Sequence, residues 1–273
     1  MGGDCVFINS PMFPPLDDEF RVVIEGLKDN GSNEDHLIVV LETNGGLMET
    51  VERLVAVMRN HYERVSFVVP NFAYSAGTVL ALSGDKIWMD YYSVLGPIDP
   101  QYRNSDGAYL PGHGVISKFN DLTKIINEAD SPESVRAELA FLIKNFDPAQ
   151  LFHIEQAIQH GITLITEWLP KYKFKDWNQT TTKGKNVTLT MKEKRATEIA
   201  QTLGNASKWH SHGRGIPMRR LMGEELKLVI DDFGSDDDLN DAIKNYHGLA
   251  NDYFSKLNMQ AYIHSAAGPR RVS

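Results

Sequence analysis

The stretch Leu-Ile-Val-Val-Leu-Glu-Thr-Asn-Gly-Gly, residues 37–46, decides the fold. Its first five residues form a continuous aliphatic run rich in β-branched side chains, which is typical of a strand buried on both faces of a parallel sheet. Its last four residues turn the chain. An apolar stripe at helical spacing then follows over residues 51–58. The stretch therefore predicts a buried strand, a tight turn and an amphipathic helix.

The same unit is repeated downstream. Residues 65–69 (Val-Ser-Phe-Val-Val) form a second apolar run that ends at Pro70. The small and apolar residues 75–82 predict another helix, and residues 86–89 predict a third strand. Strands and helices that alternate in this way imply right-handed parallel crossovers. The predicted fold class is therefore α/β.

Composition and charge exclude several classes of protein. The chain has 273 residues, of which 42% are hydrophobic and 23% charged, as in an ordinary globular protein. A formal net charge of -8 argues against a general nucleic-acid binder. The single Cys5 cannot form an internal disulfide, and the first residues lack the features of a signal peptide. No uninterrupted apolar run approaches the ~20 residues that span a bilayer. We therefore predict a cytoplasmic protein without a membrane span or nucleic-acid partner.

The second half of the chain is predicted to be helical. A Thr190-x-x-Glu193 pattern predicts a capping box for a helix that ends at Gly204. A last helix, over about 236–257, begins in an acidic run that we interpret as helix-capping residues. We expect it to bury Leu239, Ile243, Leu249 and Tyr253. The predicted organisation is an α/β core (1–130), a helical elaboration with an exposed loop (131–204), a return to the core with a C-terminal helix (205–265) and a disordered tail (266–273).

Two strand-to-helix turns carry the chemistry. The first holds Gly45-Gly46, whose backbone N–H groups can approach a ligand closely because side chains are absent. The second places Ser75 before Ala76-Gly77, at the start of a helix. In a parallel sheet both turns fall at the carboxyl ends of strands, where α/β proteins place their sites. A serine there is either a nucleophile near free helix N–H groups or a plain N-cap residue.

Three segments resemble a known family. They are residues 42–46 (Glu-Thr-Asn-Gly-Gly), residues 67–78, with Phe-Val-Val-Pro leading to Ala-Tyr-Ser-Ala-Gly-Thr, and residues 93–101 (Ser-Val-Leu-Gly-Pro-Ile-Asp-Pro-Gln). In this order and spacing they closely resemble the serine dehydrogenase proteinase family, a branch of the Clp-fold serine peptidases related to signal peptide peptidase A and ClpP. The resemblance covers roughly 37–101 and the segment around 209–216. It implies a ClpP/crotonase-like fold, a homo-oligomer, and a serine peptidase that acts on peptides or proteins without a cofactor.

The resemblance also implies roles for individual residues. Ser75 would be the nucleophile, and Ala76 together with Gly45 or Gly46 would supply the backbone N–H groups of an oxyanion hole. In ClpP a histidine follows the next strand, but residues 96–100 contain none. Signal peptide peptidase A instead uses a lysine about fifty residues after its serine, and Lys118 is our first choice over Lys124.

Further polar residues are candidates for the same site. Asp99 would either orient the base or cap the turn before Pro100. His113, which we expect in a flexible loop, is the rival base. His210 and His212 would share one face of a strand, but no further ligand completes a metal site, so we predict no metal. We interpret His212 and Arg214 as substrate-binding residues, or as a structural histidine and part of a solvated basic face.

Two other functions remain open at this point. Crotonase-like enzymes use the same fold and the same pair of N–H groups to hold an acyl-CoA thioester, without a nucleophilic serine. A chain that has lost its base would instead be a catalytically silent scaffold that assembles with a partner. The absence of a histidine from residues 96–100 keeps the scaffold in consideration.

Overall fold

The strand–helix alternation that the sequence predicts is present in the structure, a computed structural model that describes residues 2–103, 109–180 and 184–272. The strands are β1 (Asp4–Asn9), β2 (His36–Glu42), β3 (Arg64–Val68), β4 (Phe72–Ala73), β5 (Lys86–Met89), β6 (Val94–Leu95), β7 (Gln101–Arg103), β8 (Tyr109–Pro111), β9 (Ile216–Pro217), β10 (Asp231–Asp232), β11 (Tyr262–Ser265) and β12 (Gly268–Arg271). The α-helices are α1 (Leu16–Asp29), α2 (Met48–His61), α3 (Ala76–Leu82), α4 (Gly112–Asn127), α5 (Arg136–Asn145), α6 (Pro148–Lys171), α7 (Leu189–Gly204), α8 (Ala206–Trp209), α9 (Met218–Met222) and α10 (Asp237–Lys256).

A seven-stranded sheet organises the molecule, with the order β10-β5-β3-β2-β1-β11-β12. The neighbours from β10 to β1 pair in parallel, and β11 and β12 add an antiparallel edge. This mostly parallel sheet with helical crossovers confirms the predicted α/β, ClpP-like class. The aliphatic run predicted as a strand is β2, one of the central strands, and its residues after His36 are buried because helices cover both faces.

Alternate side chains of the sheet pack into two cores. One face, with Val39, Leu41 and Phe67, lies in the larger core, to which α1, α2, α3, α6 and α7 contribute. The other face, with Val40 and Val68, packs against residues of α10. The period-2 alternation of a strand produces this division.

A small three-stranded sheet, β4-β6-β9, stands at the carboxyl edge of the main sheet. β4 pairs in parallel with β6, and β6 pairs antiparallel with β9. A single parallel bridge between Thr43 and Ala73 joins the end of β2 to β4. The turn that carries Ser75 begins directly after β4, so this small sheet positions it beside the glycine turn.

Several predictions about the second half are wrong in detail. Residues 268–271, expected in a disordered tail, form β12 because β11 supplies the hydrogen-bonding partner. The helix expected to begin with a capping box at Thr190 is α7, and its N-cap is Thr188, whose side chain accepts from the N–H of Met191. In α10 the predicted Leu249 and Tyr253 are exposed, and the next residues, Ala250 and Phe254, are buried instead.

Other predictions are confirmed or stay open. Asp236 caps α10 as expected, since its carboxylate accepts from the N–H of Leu239. Across the described ranges, no helix combines the length and the apolar character that crossing a bilayer requires. The predicted cytoplasmic location, the oligomer and the domain limits stay predictions.

Candidate active site

Ser75 has an unusual backbone conformation. Its φ is 52° and its ψ is -117°, and a non-glycine residue at positive φ is uncommon. Although Ser75 stands at the N-cap position of α3, its side chain makes no capping hydrogen bond. The plain N-cap interpretation is therefore wrong. Such conformations cost on the order of 1–3 kcal/mol and persist where the surroundings enforce them, most often at functional sites.

Gly45 lies directly against this serine turn. Its φ is 94°, and a Cβ atom placed on it would lie 2.8 Å from the Cβ of Ser75 and 2.7 Å from the carbonyl oxygen of Tyr74. Both distances are too short for any side chain, so only glycine permits the approach. The two turns singled out from the sequence are thus in van der Waals contact.

Thr43 fastens the two turns together. Its carbonyl oxygen accepts from the N–H of Tyr74 at 2.9 Å, and its own N–H donates to Phe72 at 3.2 Å. The methyl group of Thr43 packs on Gly77, where an added Cβ would lie only 2.2 Å from it. The glycine in Ser75-Ala76-Gly77 is therefore required by the packing of Thr43 and not by its own turn.

Thr78 connects the serine turn to the segment after β6. It is fully buried, and its hydroxyl oxygen accepts from the N–H of Gly96 at 2.9 Å. The same oxygen lies 2.8 Å from the carbonyl of Ala73 and 2.9 Å from that of Gly96, so its single proton is donated to one of them. This link holds the start of α3 against the chain that leads to Asp99.

Two backbone N–H groups of the turns are left without an internal acceptor. Among the described residues, the N–H groups of Ala76 and Gly46 have no hydrogen-bond acceptor. The N–H of Gly45, in contrast, donates to the side-chain oxygen of Thr43 at 3.0 Å. Of the two glycines considered from the sequence, Gly46 has the unoccupied donor, and Gly45 provides the close contact.

Asp99 and His212 form a hydrogen-bonded pair. The Nδ1 atom of His212 lies 3.0 Å from Oδ1 of Asp99, whose side chain is 2% exposed. The β6–β9 ladder lies next to this pair, because Asp99 follows β6 and His212 precedes β9. An ionised carboxylate only accepts, so Nδ1 carries the proton and Nε2 keeps a free lone pair.

His113 lies near the same carboxylate. It is in the first turn of α4 and not in the flexible loop that the sequence predicts. Burial lowers the pKa of His113, and the negative charge of Asp99 offsets this only in part. Its Nε2 atom is buried and has no hydrogen-bond partner among the described residues. Asp99 thus faces two of the histidines that were considered separately.

Lys118 has different surroundings. Its side chain is 77% exposed on α4 and its Nζ donates to Asp121 at 3.1 Å. Lys124 is similarly exposed and lies near Glu128. These are the surroundings of solvated helix residues, and the role of Lys118 as the base stays a prediction.

The remaining candidates lie around residue 212. Residues 210–213 form a bend and a turn and not the strand that was expected to align His210 with His212. Arg214 is exposed and its guanidinium lies 3.5 Å from the carbonyl of Trp209, so its substrate-binding role stays a prediction. In the described part of the chain, no group of three or more potential ligands could hold a metal ion.

Sequence reasoning missed two residues of the site. Thr43 was treated only as part of a turn and Thr78 only as part of a motif. Their roles depend on which backbone groups lie within hydrogen-bond distance in the fold, and the spacing of residues in the sequence does not predict those distances. The pairing of Asp99 with His212 spans 113 positions and was equally out of reach.

The family comparison agrees with this geometry. Residues 16–118 match the family model of ClpP-like SDH-type serine proteinases. The matched range holds both turns, Ser75 and Asp99, and His212 lies outside it. The family resemblance is therefore confirmed for this part of the chain.

Two curated relatives come from Methanocaldococcus jannaschii, and both are uncharacterized proteins. One is 32% identical over 102 residues, which are 37% of this chain and 33% of that protein. The other is 35% identical over 72 residues, which are 26% of this chain and 25% of that protein. The matched part spans a third or less of these relatives.

Among solved structures, two mutant forms of the 1510-N membrane-bound stomatin-specific protease are similar. The first has 17% identity and a TM-score of 0.35, covering 69% of this chain and 94% of that one. The second, in complex with a substrate peptide, has 20% identity and the same TM-score, covering 71% of this chain and 95% of that one.

Replacing Gly77 tests the contact between the two turns. We expect Gly77→Ala to lower the free energy of unfolding by about 1–3 kcal/mol, because its methyl group would overlap that of Thr43. Thr43→Ser keeps the hydroxyl and removes the methyl, so Thr43→Ser/Gly77→Ala should recover much of the loss in urea unfolding. Gly248→Ala is the control, since open space surrounds Gly248 on α10. If Gly77→Ala alone were as stable as the wild type, this packing would be contradicted.

Replacing Thr78 tests the link to the segment after β6. Thr78→Val keeps the shape but removes the hydroxyl, and we expect a loss of about 1–3 kcal/mol in the free energy of unfolding because buried backbone groups lose a partner. Thr78→Ser should restore most of it. Denaturant unfolding of the wild type, Thr78→Val and Thr78→Ser measures the differences in the free energy of unfolding. Equal stability of the Val and Thr proteins would show that the hydroxyl does not hold the turn.

Proposed function

We propose that this chain is a serine peptidase that hydrolyses peptide bonds through an acyl-enzyme on Ser75. The observation that carries the proposal is the conformation of Ser75, which is held at positive φ against Gly45 with a side chain that caps no helix. The match of residues 16–118 to ClpP-like serine proteinases supports it. A peptide or protein is then the substrate, and no cofactor is required.

The acylation step uses groups that the two turns bring together. The Ser75 oxygen attacks the substrate carbonyl carbon and its proton passes to a base. The carbonyl oxygen becomes negatively charged and accepts from the N–H groups of Ala76 and Gly46. When the carbon–nitrogen bond breaks, the base returns the proton to the leaving amine, and water then hydrolyses the acyl-enzyme by the same steps. Fixed backbone donors aimed at a developing charge supply a large part of such catalysis.

We assign the base to His212, oriented by Asp99. Its Nδ1–H donates to a buried carboxylate, which fixes the ring and leaves Nε2 able to take a proton. The small sheet supports this choice, because β6 pairs both with β4, which leads into the serine turn, and with β9, which leads away from His212. In ClpP-like enzymes a histidine lies shortly after the strand that follows the serine helix, and here Asp99 stands in that region. Lys118 and His113 remain the rivals.

The two other functions are less favoured. A crotonase-like enzyme would use the N–H groups alone, so the strained conformation of Ser75 would have no purpose. A silent scaffold would have no need of a buried Asp99 that holds a histidine. The family match is to proteinases and favours neither alternative. The expected homo-oligomer and cytoplasmic location belong to this proposal as expectations.

Labelling with a fluorophosphonate probe tests the nucleophile. Wild type should be labelled, because an activated serine attacks the phosphorus as it would a carbonyl carbon. Ser75→Ala should abolish labelling, and Ser255→Ala, which changes an exposed serine of α10, should leave it intact. Circular dichroism verifies that each variant is folded. Labelling that persists in folded Ser75→Ala would sink the assignment.

The labelling rate in a second set of variants identifies the base. Loss of a general base typically lowers the rate about 10²–10⁴-fold, and we expect this for His212→Ala. Asp99→Asn should also slow labelling, because an amide no longer fixes the ring as a carboxylate does. Lys118→Ala should change little, since that lysine is exposed. A large loss in Lys118→Ala with a normal rate in His212→Ala would return the role to the lysine. A large loss of labelling rate in His113→Ala with a normal rate in His212→Ala would assign the base to His113.

A further inference from the structure

A cavity of about 520 Å³ lies on the opposite edge of the main sheet from Ser75. It opens at the amino-terminal halves of β2, β3 and β5 and is covered by the chain that follows α6. Its lining includes His36, Ser66, Lys86, Trp88, Tyr172 and Lys173. The volume falls within the range of small-molecule sites. The proposed peptidase mechanism uses none of these residues.

Two hydrogen-bond donors of this cavity lack partners. The ammonium group of Lys173 feels the charges of Asp231 and Asp85 but has no hydrogen-bond partner among the described residues. The indole Nε1–H of Trp88 is buried and has no acceptor there. A buried donor without a partner costs about 1–3 kcal/mol, so native structures seldom leave one unexplained. The Trp88 indole therefore requires an acceptor, and the half-buried Lys173 adds a cation.

Two of the other charged groups of the cavity, Asp85 and Arg64, are paired, whereas Glu34 and Asp176 also line it. Asp85 accepts from Arg59 at 2.8 Å and from Lys175 at 2.5 Å. Arg64 donates to Asp35 at 2.7 Å. No carboxylate of the described residues lies within ion-pair distance of the Lys173 ammonium group.

Three further polar side chains of the cavity have neighbours of their own. Lys86 lies 3.9 Å from Asp231. His36 contacts the carbonyl of Gly2 through Nδ1 at 2.8 Å and the hydroxyl of Ser66 through Nε2 at 2.9 Å. Since a carbonyl only accepts, Nδ1 carries the proton and Ser66 donates to Nε2. Ser66 thus has no proton left for a ligand, whereas Lys173 and Trp88 each keep an open donor.

The surroundings of Lys173 favour a bound negative charge. Burial lowers the pKa of Lys173 to about 8, with Asp231 and Asp85 offsetting the effect in part and Lys86 adding to it. The ammonium form is thus poorly stabilised by the protein itself, and an anion in the cavity would stabilise it. Other charged or titratable groups that line the cavity are Glu34, His36, Arg64, Lys175 and Asp176.

We propose that this cavity binds a small organic anion, a carboxylate or a phosphate ester, whose anionic group accepts from Nζ of Lys173 and Nε1 of Trp88. The anion satisfies both open donors at once, and the rest of the cavity holds its organic part. The site is separate from Ser75, so it does not depend on the peptidase assignment.

Isothermal titration with inorganic phosphate and with acetate tests the site and distinguishes the two anion classes. At pH 7 we expect saturable binding of at least one, and the tighter anion identifies the class. Lys173→Met should raise the dissociation constant about tenfold or more, because a charge-assisted hydrogen bond is lost. Trp88→Phe should weaken binding severalfold. Lys171→Met, at an exposed lysine two residues away, should leave the affinity unchanged.

Raising the pH provides an independent readout. Lys173 attracts an anion only while it is protonated. The affinity for the anion should therefore fall as the pH rises through about 8, the pKa of Lys173 in the protein without a bound anion. This fall should be absent in Lys173→Met. Saturable binding of neither anion would overturn the proposal. Binding of wild-type strength in both folded variants, Lys173→Met and Trp88→Phe, would overturn it as well.

Discussion

The contact between Gly45 and the Ser75 turn leaves no room for a side chain, since a Cβ on the glycine would lie 2.8 Å from that of the serine. The rest of the site depends on this approach. It brings the turn that follows β2 against the start of α3. The parallel order of β2, β3 and β5 sets the approach, because their carboxyl ends meet at one edge.

The strained backbone of Ser75 is stabilised by its buried neighbours. Thr43 and Thr78 hold the turn from two sides with hydrogen bonds to backbone groups, and both are buried. These contacts offset the cost of positive φ and leave the serine hydroxyl without a structural task. A side chain that is held in place but has no capping role is suited to chemistry.

The central strands and both turns could be predicted from the sequence, because a run of aliphatic residues and a following glycine pair are local signals. The partner of Asp99 could not, since His212 is 113 positions away and only the tertiary fold brings it near. The strand at 268–271 was missed because Gly-Pro-Arg-Arg shows no alternation, and β11 alone supplies its hydrogen bonds. In α10 the predicted Leu239 and Ile243 do pack against the core, but the second half of the buried face was misplaced by one residue, at Leu249 and Tyr253.

The structure of the protein after reaction with a phosphonate that modifies serine tests the central claim most directly. The account predicts that phosphorus is bonded to the Ser75 oxygen. It also predicts that one phosphonyl oxygen lies about 2.7–3.1 Å from the backbone nitrogens of both Ala76 and Gly46. An adduct on another residue would contradict the account, as would an adduct whose oxygens point to solvent and contact neither N–H group.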